Sequence, residues 1–167
     1  MSETYALYRR LTSKSAGLGR IAFSAAYMLK VPYFRTVRPM VQSIEPHRAV
    51  VRIRRRWSTK NHIGTLHAIA VANGLEAAMG LLSEATVPDH QRWIPKGIHL
   101  DYLAKTPGDV ECLAETSPED WAQTPPFQID VRVSARLISD GTTVVEGTIP
   151  IHVSERTRSG RTATQPA

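Results

Sequence analysis

The chain has 167 residues, 42% of them hydrophobic, enough for one domain with a sizeable core and too few for two comfortable ones. Its net charge of +6 suits an anionic partner, whether a phosphate-bearing ligand, nucleic acid or a membrane surface, without choosing among them. A single cysteine, Cys112, excludes an internal disulfide framework and mildly favours a cytoplasmic setting.

Residues 3–15 and 18–30 read as two helices broken at Gly17, the second stopping before Pro32. The basic residues Arg9, Arg10, Lys14 and Arg20 precede the apolar run 21–29 in the manner of a secretory leader, but no small-x-small cleavage site with a polar mature start follows. No stretch approaches the roughly 20 apolar residues of a membrane span. Packing against the domain or lidding a pocket is the expected use of these helices, ahead of membrane contact.

Strands are expected from Arg38 onward. A short one covers 41–44, the turn Glu45–His47 follows, and a longer one covers 49–57. On the second, Arg52, Arg54 and Arg56 alternate with Val51, Ile53 and Arg55. Such a row either meets a nucleotide phosphate or forms an ordinary solvated face. Without a helix-turn-helix, zinc or RNA-recognition signature, sequence-specific nucleic-acid binding is not expected.

Residues 61–82, N-H-I-G-T-L-H-A-I-A-V-A-N-G-L-E-A-A-M-G-L-L, organise the rest. Strong helix formers predict a helix from near Thr65, a plausible N-cap, to about Ser83. It is apolar nearly all round and so belongs in a core, with Asn73 and Glu76 as the exceptions on one face and Gly80 continuing their stripe. A carboxylate there is either tied to an arginine of a neighbouring strand or functional, since desolvation raises its pKa toward a useful range.

Beyond the helix, 87–96 reads as a loop entering a strand. Further strands are expected at about 96–104, 110–115, 127–138 and 144–154, with turns at Pro107–Asp109 and Asp140–Gly141. Residues 115–126 form an irregular acidic insertion whose Trp121 covers a pocket or anchors the loop. The predicted organisation is a helical extension (1–32), one α+β domain (33–154) with a curved antiparallel sheet wrapped around the helix at 66–83, and a polar, disordered tail (155–167).

Asn61, Gly64, Thr65 and His67 form the pattern N-x-x-G-T-x-H, and the Glu76 carboxylate lies nine residues after the histidine. This resembles the hotdog-fold acyl-CoA thioesterases, in particular the phenylacetate-pathway and hydroxybenzoyl-CoA thioesterase type. Within that superfamily it looks most like the branch that carries N-H-I-G-T-x-H-A and two N-terminal helices. Residues 98–110 are similar to the family's strand and turn after the central helix, and 131–153 to its closing hairpin, so that about two thirds of the chain is covered.

The resemblance implies a hotdog domain that forms a homodimer, or a dimer of dimers, by joining sheets edge to edge, with active sites between protomers. It implies hydrolysis of an acyl-CoA or similar acyl thioester. Glu76 then serves as general base toward water or as nucleophile, and Asn61 orients the water or the carboxylate. The Ala68 N–H donates to the thioester oxygen, aided by the helix dipole. His67 is carried over as a positioning residue; read alone, it is equally a satisfied buried histidine holding the loop. Asn73 either helps the carboxylate or hydrogen-bonds across the dimer. Arg54, Arg56, Lys60 and Lys96 are the candidate contacts to the CoA phosphates, with Lys60 adjoining Asn61. No cofactor or metal is called for, because His47, His62, His90, His99 and His152 are scattered.

One departure bears on the chemistry. The family's two glycines after the histidine are Ala68 and Ile69 here, which narrows the approach to the oxyanion site. That replacement favours a competing reading, a module that binds an acyl-CoA or another hydrophobic ligand without cleaving it. A third reading is a structural dimer whose N-terminal helices recruit a partner. A hydratase finds no Asp-x-x-x-x-His signature.

Overall fold

The computed structural model of the protein describes residues 2–156. Helix α1 (Glu3–Thr12) and helix α2 (Ala16–Lys30) lead through a 3-10 turn, Pro32–Arg35, into strands β1 (Met40–Glu45) and β2 (Arg48–Ile53). Helix α3 (Ala68–Thr86) follows, then β3 (Gln91–Pro95), β4 (His99–Tyr102), β5 (Val110–Glu115), β6 (Phe127–Leu137) and β7 (Thr143–Glu155). The seven strands form one antiparallel sheet in the order β1-β2-β5-β6-β7-β3, with β4 also paired to β7. The sheet curves around α3, and this is the hotdog fold.

Strict alternation builds the long strands. Along β6, Phe127, Ile129, Val131, Val133, Ala135 and Leu137 point inward, while Gln128, Asp130, Arg132 and Arg136 point out. Helix α3 settles on this face through Val71, Leu75, Leu81 and Leu82, all fully buried. Gly74 marks the closest approach: a Cβ there would lie 2.6 Å from Cys112 Sγ on β5. Cys112 is a free, buried thiol filling that contact.

The helical extension shares this core. Tyr8, Phe23, Tyr27 and Phe34 form a continuous aromatic series with centroid spacings of 5.2, 6.1 and 5.5 Å. Helix α2 also covers the free edge of the sheet at β1, where the Val41 N–H donates to Ser24 Oγ at 2.9 Å. The opposite edge, β3 and β4, is open. Gly19 lets the two helices touch, since a Cβ there would strike the Leu11 carbonyl. Gly19→Ala is therefore expected to destabilise the fold by about 1–3 kcal/mol, read as a lowered Tm.

Several boundaries differ from the sequence expectation. The helix break falls at 13–15, and Gly17 lies inside α2. Thr65 does not cap α3; His67 does, its Nδ1 accepting from the Ile69 N–H at 3.1 Å. Strand β2 stops at Ile53, so Arg54, Arg55 and Arg56 form a connection rather than an alternating row. The expected loop at 87–96 contains strand β3; Pro95 stands at a sheet edge, where a missing N–H costs nothing. The expected strand 96–104 is only His99–Tyr102, and with β3 it makes one interrupted edge along β7. The acidic insertion holds a 3-10 turn, Pro118–Trp121. Trp121 anchors it, donating to Thr116 Oγ1 at 2.9 Å and meeting Phe127 edge to face. Strand β7 reaches Glu155, and the Arg156 N–H donates to the His90 carbonyl. The tail expected beyond it falls, from 157 onward, outside the described residues.

Candidate active site

The loop before α3 is tied to itself. Asn61 Oδ1 accepts from the Ile63 and Thr65 N–H groups at 3.1 Å each, and Asn61 Nδ2 donates to Thr65 Oγ1 at 2.8 Å. Gly64 takes φ of +80°, which explains the glycine in the motif. Arg55 then fastens the loop from outside, its Nε donating to the Gly64 carbonyl at 2.8 Å. Spacing in the sequence gave no hint of this, because Arg55 counted as one member of an arginine strand.

Behind Arg55 stands Asp109, in the turn before β5. It accepts from Arg52 Nη2 at 2.7 Å and from the Arg55 N–H at 2.9 Å. Partial burial by itself would raise the carboxyl pKa, but these donors hold it below the usual range. The stability that Asp109 contributes is thus present above about pH 3.9 and lost as pH falls through its folded pKa. Asp109→Asn is expected to cost about 1–2 kcal/mol at neutral pH, a deficit that shrinks in thermal melts toward pH 3.

His67 is exposed and caps α3, so its Nδ1 is engaged by the helix N-terminus. The Ala68 N–H is the first in the helix and has no acceptor among the described residues. Ala68 and Ile69 are both exposed, Ile69 by 56%. The Tyr102 hydroxyl, from β4, donates to the Ala68 carbonyl at 3.2 Å. An unsatisfied N–H at the positive end of a 19-residue helix, open to the surface, is what a developing oxyanion needs.

Glu76 lies further along. Ile69, Ala72, Asn73, Glu76, Gly80 and Glu84 fall on one stripe of α3, the side turned away from the sheet. Glu76 is half-buried, and desolvation raises its pKa. No arginine or lysine pairs with it among the described residues, so the alternative of a core glutamate bound to a strand arginine does not hold. Asn73 is 9% exposed, and its amide has no hydrogen-bond partner among the described residues.

From Glu76 to Ala68 is eight residues, a rise of about 12 Å, too far for both groups to reach one thioester carbon within a chain. Within the chain Ala68 and Glu76 thus stand about two helical turns apart, with Asn61 in the loop before the helix. Among the phosphate candidates, Arg54 and Arg56 do share a neighbourhood: burial, then the charges of Arg38 and Arg54, lower the Arg56 pKa. Lys60 is exposed and opens the 61–65 loop, and Lys96 is exposed in the break between β3 and β4. No group of three or more His, Cys, Asp or Glu among the described residues makes a metal cluster.

The comparisons agree with the fold. Residues 19–153 match the model of a family described as a domain of unknown function, DUF4442, and the chain belongs to that family. A crystal structure known as APC5556 is 35% identical, covers 89% of this chain and 99% of its own, and superposes with a TM-score of 0.77. The Pseudomonas aeruginosa protein PA5026, a probable thioesterase, is 17% identical over 77% of this chain and 91% of its own, with a TM-score of 0.69. The thioesterase HI1161 from Haemophilus influenzae is 10% identical over 74% and 82%, with a TM-score of 0.63. No curated protein sequence matches.

Proposed function

We propose that the protein hydrolyses an acyl-CoA or related acyl thioester to the free acid and thiol, with Glu76 as general base toward water or as nucleophile. The observation that carries this reading is Glu76 itself: an unpaired carboxylate of raised pKa, on the central helix, in the wall of a largely apolar cavity. The fold shared with the two thioesterases above supports the same chemistry.

The roughly 12 Å between Glu76 and the Ala68 N–H makes the site composite, one protomer supplying the carboxylate and its partner the oxyanion donor. Two features support a homodimer joined at the β3–β4 edge. That edge is unpaired and carries Ile94, Ile98 and Tyr102 at 51%, 44% and 47% exposure, a surface that a second copy would cover. Asn73, on the same helix stripe and with no hydrogen-bond partner for its amide among the described residues, would gain one across the interface. In this reading Asn61 acts chiefly by shaping the loop, His67 positions the helix N-terminus, and Arg54, Arg56, Lys60 and Lys96 face the CoA phosphates.

The competing reading is a non-catalytic acyl-CoA binding module, favoured by the exposed Ile69 beside the Ala68 N–H. Release of free thiol from short, medium, long and aryl acyl-CoAs separates the two. Turnover of any of them supports hydrolysis, whereas saturable binding with no turnover leaves the binding module.

A further inference from the structure

The cavity beside Glu76 has a volume of about 310 Å³, near the lower end of small-ligand sites. Its inner wall is the stripe Glu76, Gly80 and Glu84 of α3, and its outer wall is made by Tyr27 and Phe34 from the helical extension and Trp93 from β3. Three aromatic rings and a glycine make a site for hydrocarbon. The extension is thus a wall of the cavity that contains the candidate carboxylate.

Glu76 and Glu84 are eight residues apart on one face, so the cavity follows α3 for about 12 Å, the length of an extended chain of about nine or ten carbons. At Gly80 the helix meets two of the rings directly: a Cβ at that position would lie 3.4 Å from Trp93 Cη2 and 3.7 Å from the Tyr27 hydroxyl oxygen, so a methyl is accommodated and a larger side chain displaces the rings into the cavity beside them. The Tyr27 hydroxyl stands over Gly80, four residues from each carboxylate along the helix, and burial and then the Glu84 and Glu76 charges push its pKa up. That hydroxyl has no partner among the described residues.

We infer that this cavity is the acyl-chain site and that the protein is selective for medium-chain acyl groups, about eight to ten carbons, with Gly80 and Trp93 setting the length. The inference rests on the thioester reading for the position of the carbonyl at Glu76. The chain site itself stands on the cavity. The thioester carbonyl sits at Glu76, and the hydrocarbon lies beside the Gly80–Trp93 contact, against Phe34, Met79 and Trp93.

Two measurements on the full-length protein test it. The first is calorimetric binding of 1-decanol, a neutral probe that the Glu76 carboxylate does not repel. The second is kcat/KM for acyl-CoAs from two to sixteen carbons. Gly80→Leu, which drives Trp93 and Tyr27 into the cavity, is expected to weaken decanol binding and decanoyl-CoA turnover roughly tenfold or more while sparing acetyl-CoA. Trp93→Ala, which widens the site, is expected to move the optimum to longer chains.

Binding of decanol that is lost in folded Gly80→Leu, with no hydrolysis of any substrate, upholds the chain site and removes the thioesterase reading. Hydrolysis whose chain-length profile is unchanged in Gly80→Leu and Trp93→Ala, or a wild-type protein that does not bind decanol, overturns the inference.

Discussion

Replacing Glu76 by glutamine is expected to lower kcat for thioester hydrolysis by about 10²–10⁴-fold, with the fold intact and more stable at neutral pH. Both effects have one cause. Desolvation on α3 disfavours the charged carboxylate, so its pKa in the folded protein lies above the ordinary glutamate value. Between those two pKa values the folded state holds more protons than the unfolded one. The stability associated with Glu76 is accordingly complete below about pH 4.3 and declines as pH rises through the folded pKa. Glutamine does not ionise and escapes that decline, so the Tm advantage of the variant grows from acid to neutral pH. As a base or nucleophile Glu76 acts only when charged, and wild-type kcat/KM should climb with pH through the same raised pKa. A folded Glu76→Gln protein that turns over substrate at the wild-type rate would end the assignment.

The second large effect tests the proposed division of the site between protomers. Ala68 is the first residue of α3, and His67 before it has φ of −65° and ψ of 137°, a conformation that a following proline accepts. Ala68→Pro therefore removes the oxyanion N–H while leaving the helix start in place. Alone it is expected to lower kcat about 10²–10³-fold. Mixed with Glu76→Gln under subunit exchange, the two nearly inactive proteins should recover about a quarter of wild-type activity. Half of the dimers are then mixed, and each mixed dimer holds one intact site. Persistent inactivity after exchange, verified by a tagged subunit, would show that Glu76 and the Ala68 N–H do not act in one composite site.

The sequence exposed much of this because its strongest signals are local. Alternation along 127–137 and the apolar run at 68–82 reflect burial on one or both faces, which each segment records in its own composition. Glu76 stood out for the same reason, as the one carboxylate within the apolar run 68–82. Signals that depend on distant partners were lost. Strand β3, short and flanked by prolines, is a strand because β7 offers it a ladder, and nothing within 91–95 says so. Arg55 looked like one arginine among several until Gly64 and Asp109 were found against it. His67 replaced Thr65 as the cap because the 61–65 loop already occupies the threonine hydroxyl with Asn61.

By itself, then, the sequence determined the class of fold, the central helix, its single stripe of polar and small residues, and Glu76 as the carboxylate on that stripe. These follow from hydrophobic periodicity and from the cost of burying a charge, both properties of one segment at a time. Only the tertiary structure decided what faces that stripe. It placed α2 over Gly80 and Glu84 to close a cavity, and left the α3 N-terminus and the β3–β4 edge open. Those relations join residues tens of positions apart, and the chain acquires them only when its helices and its sheet bury their apolar faces against one another.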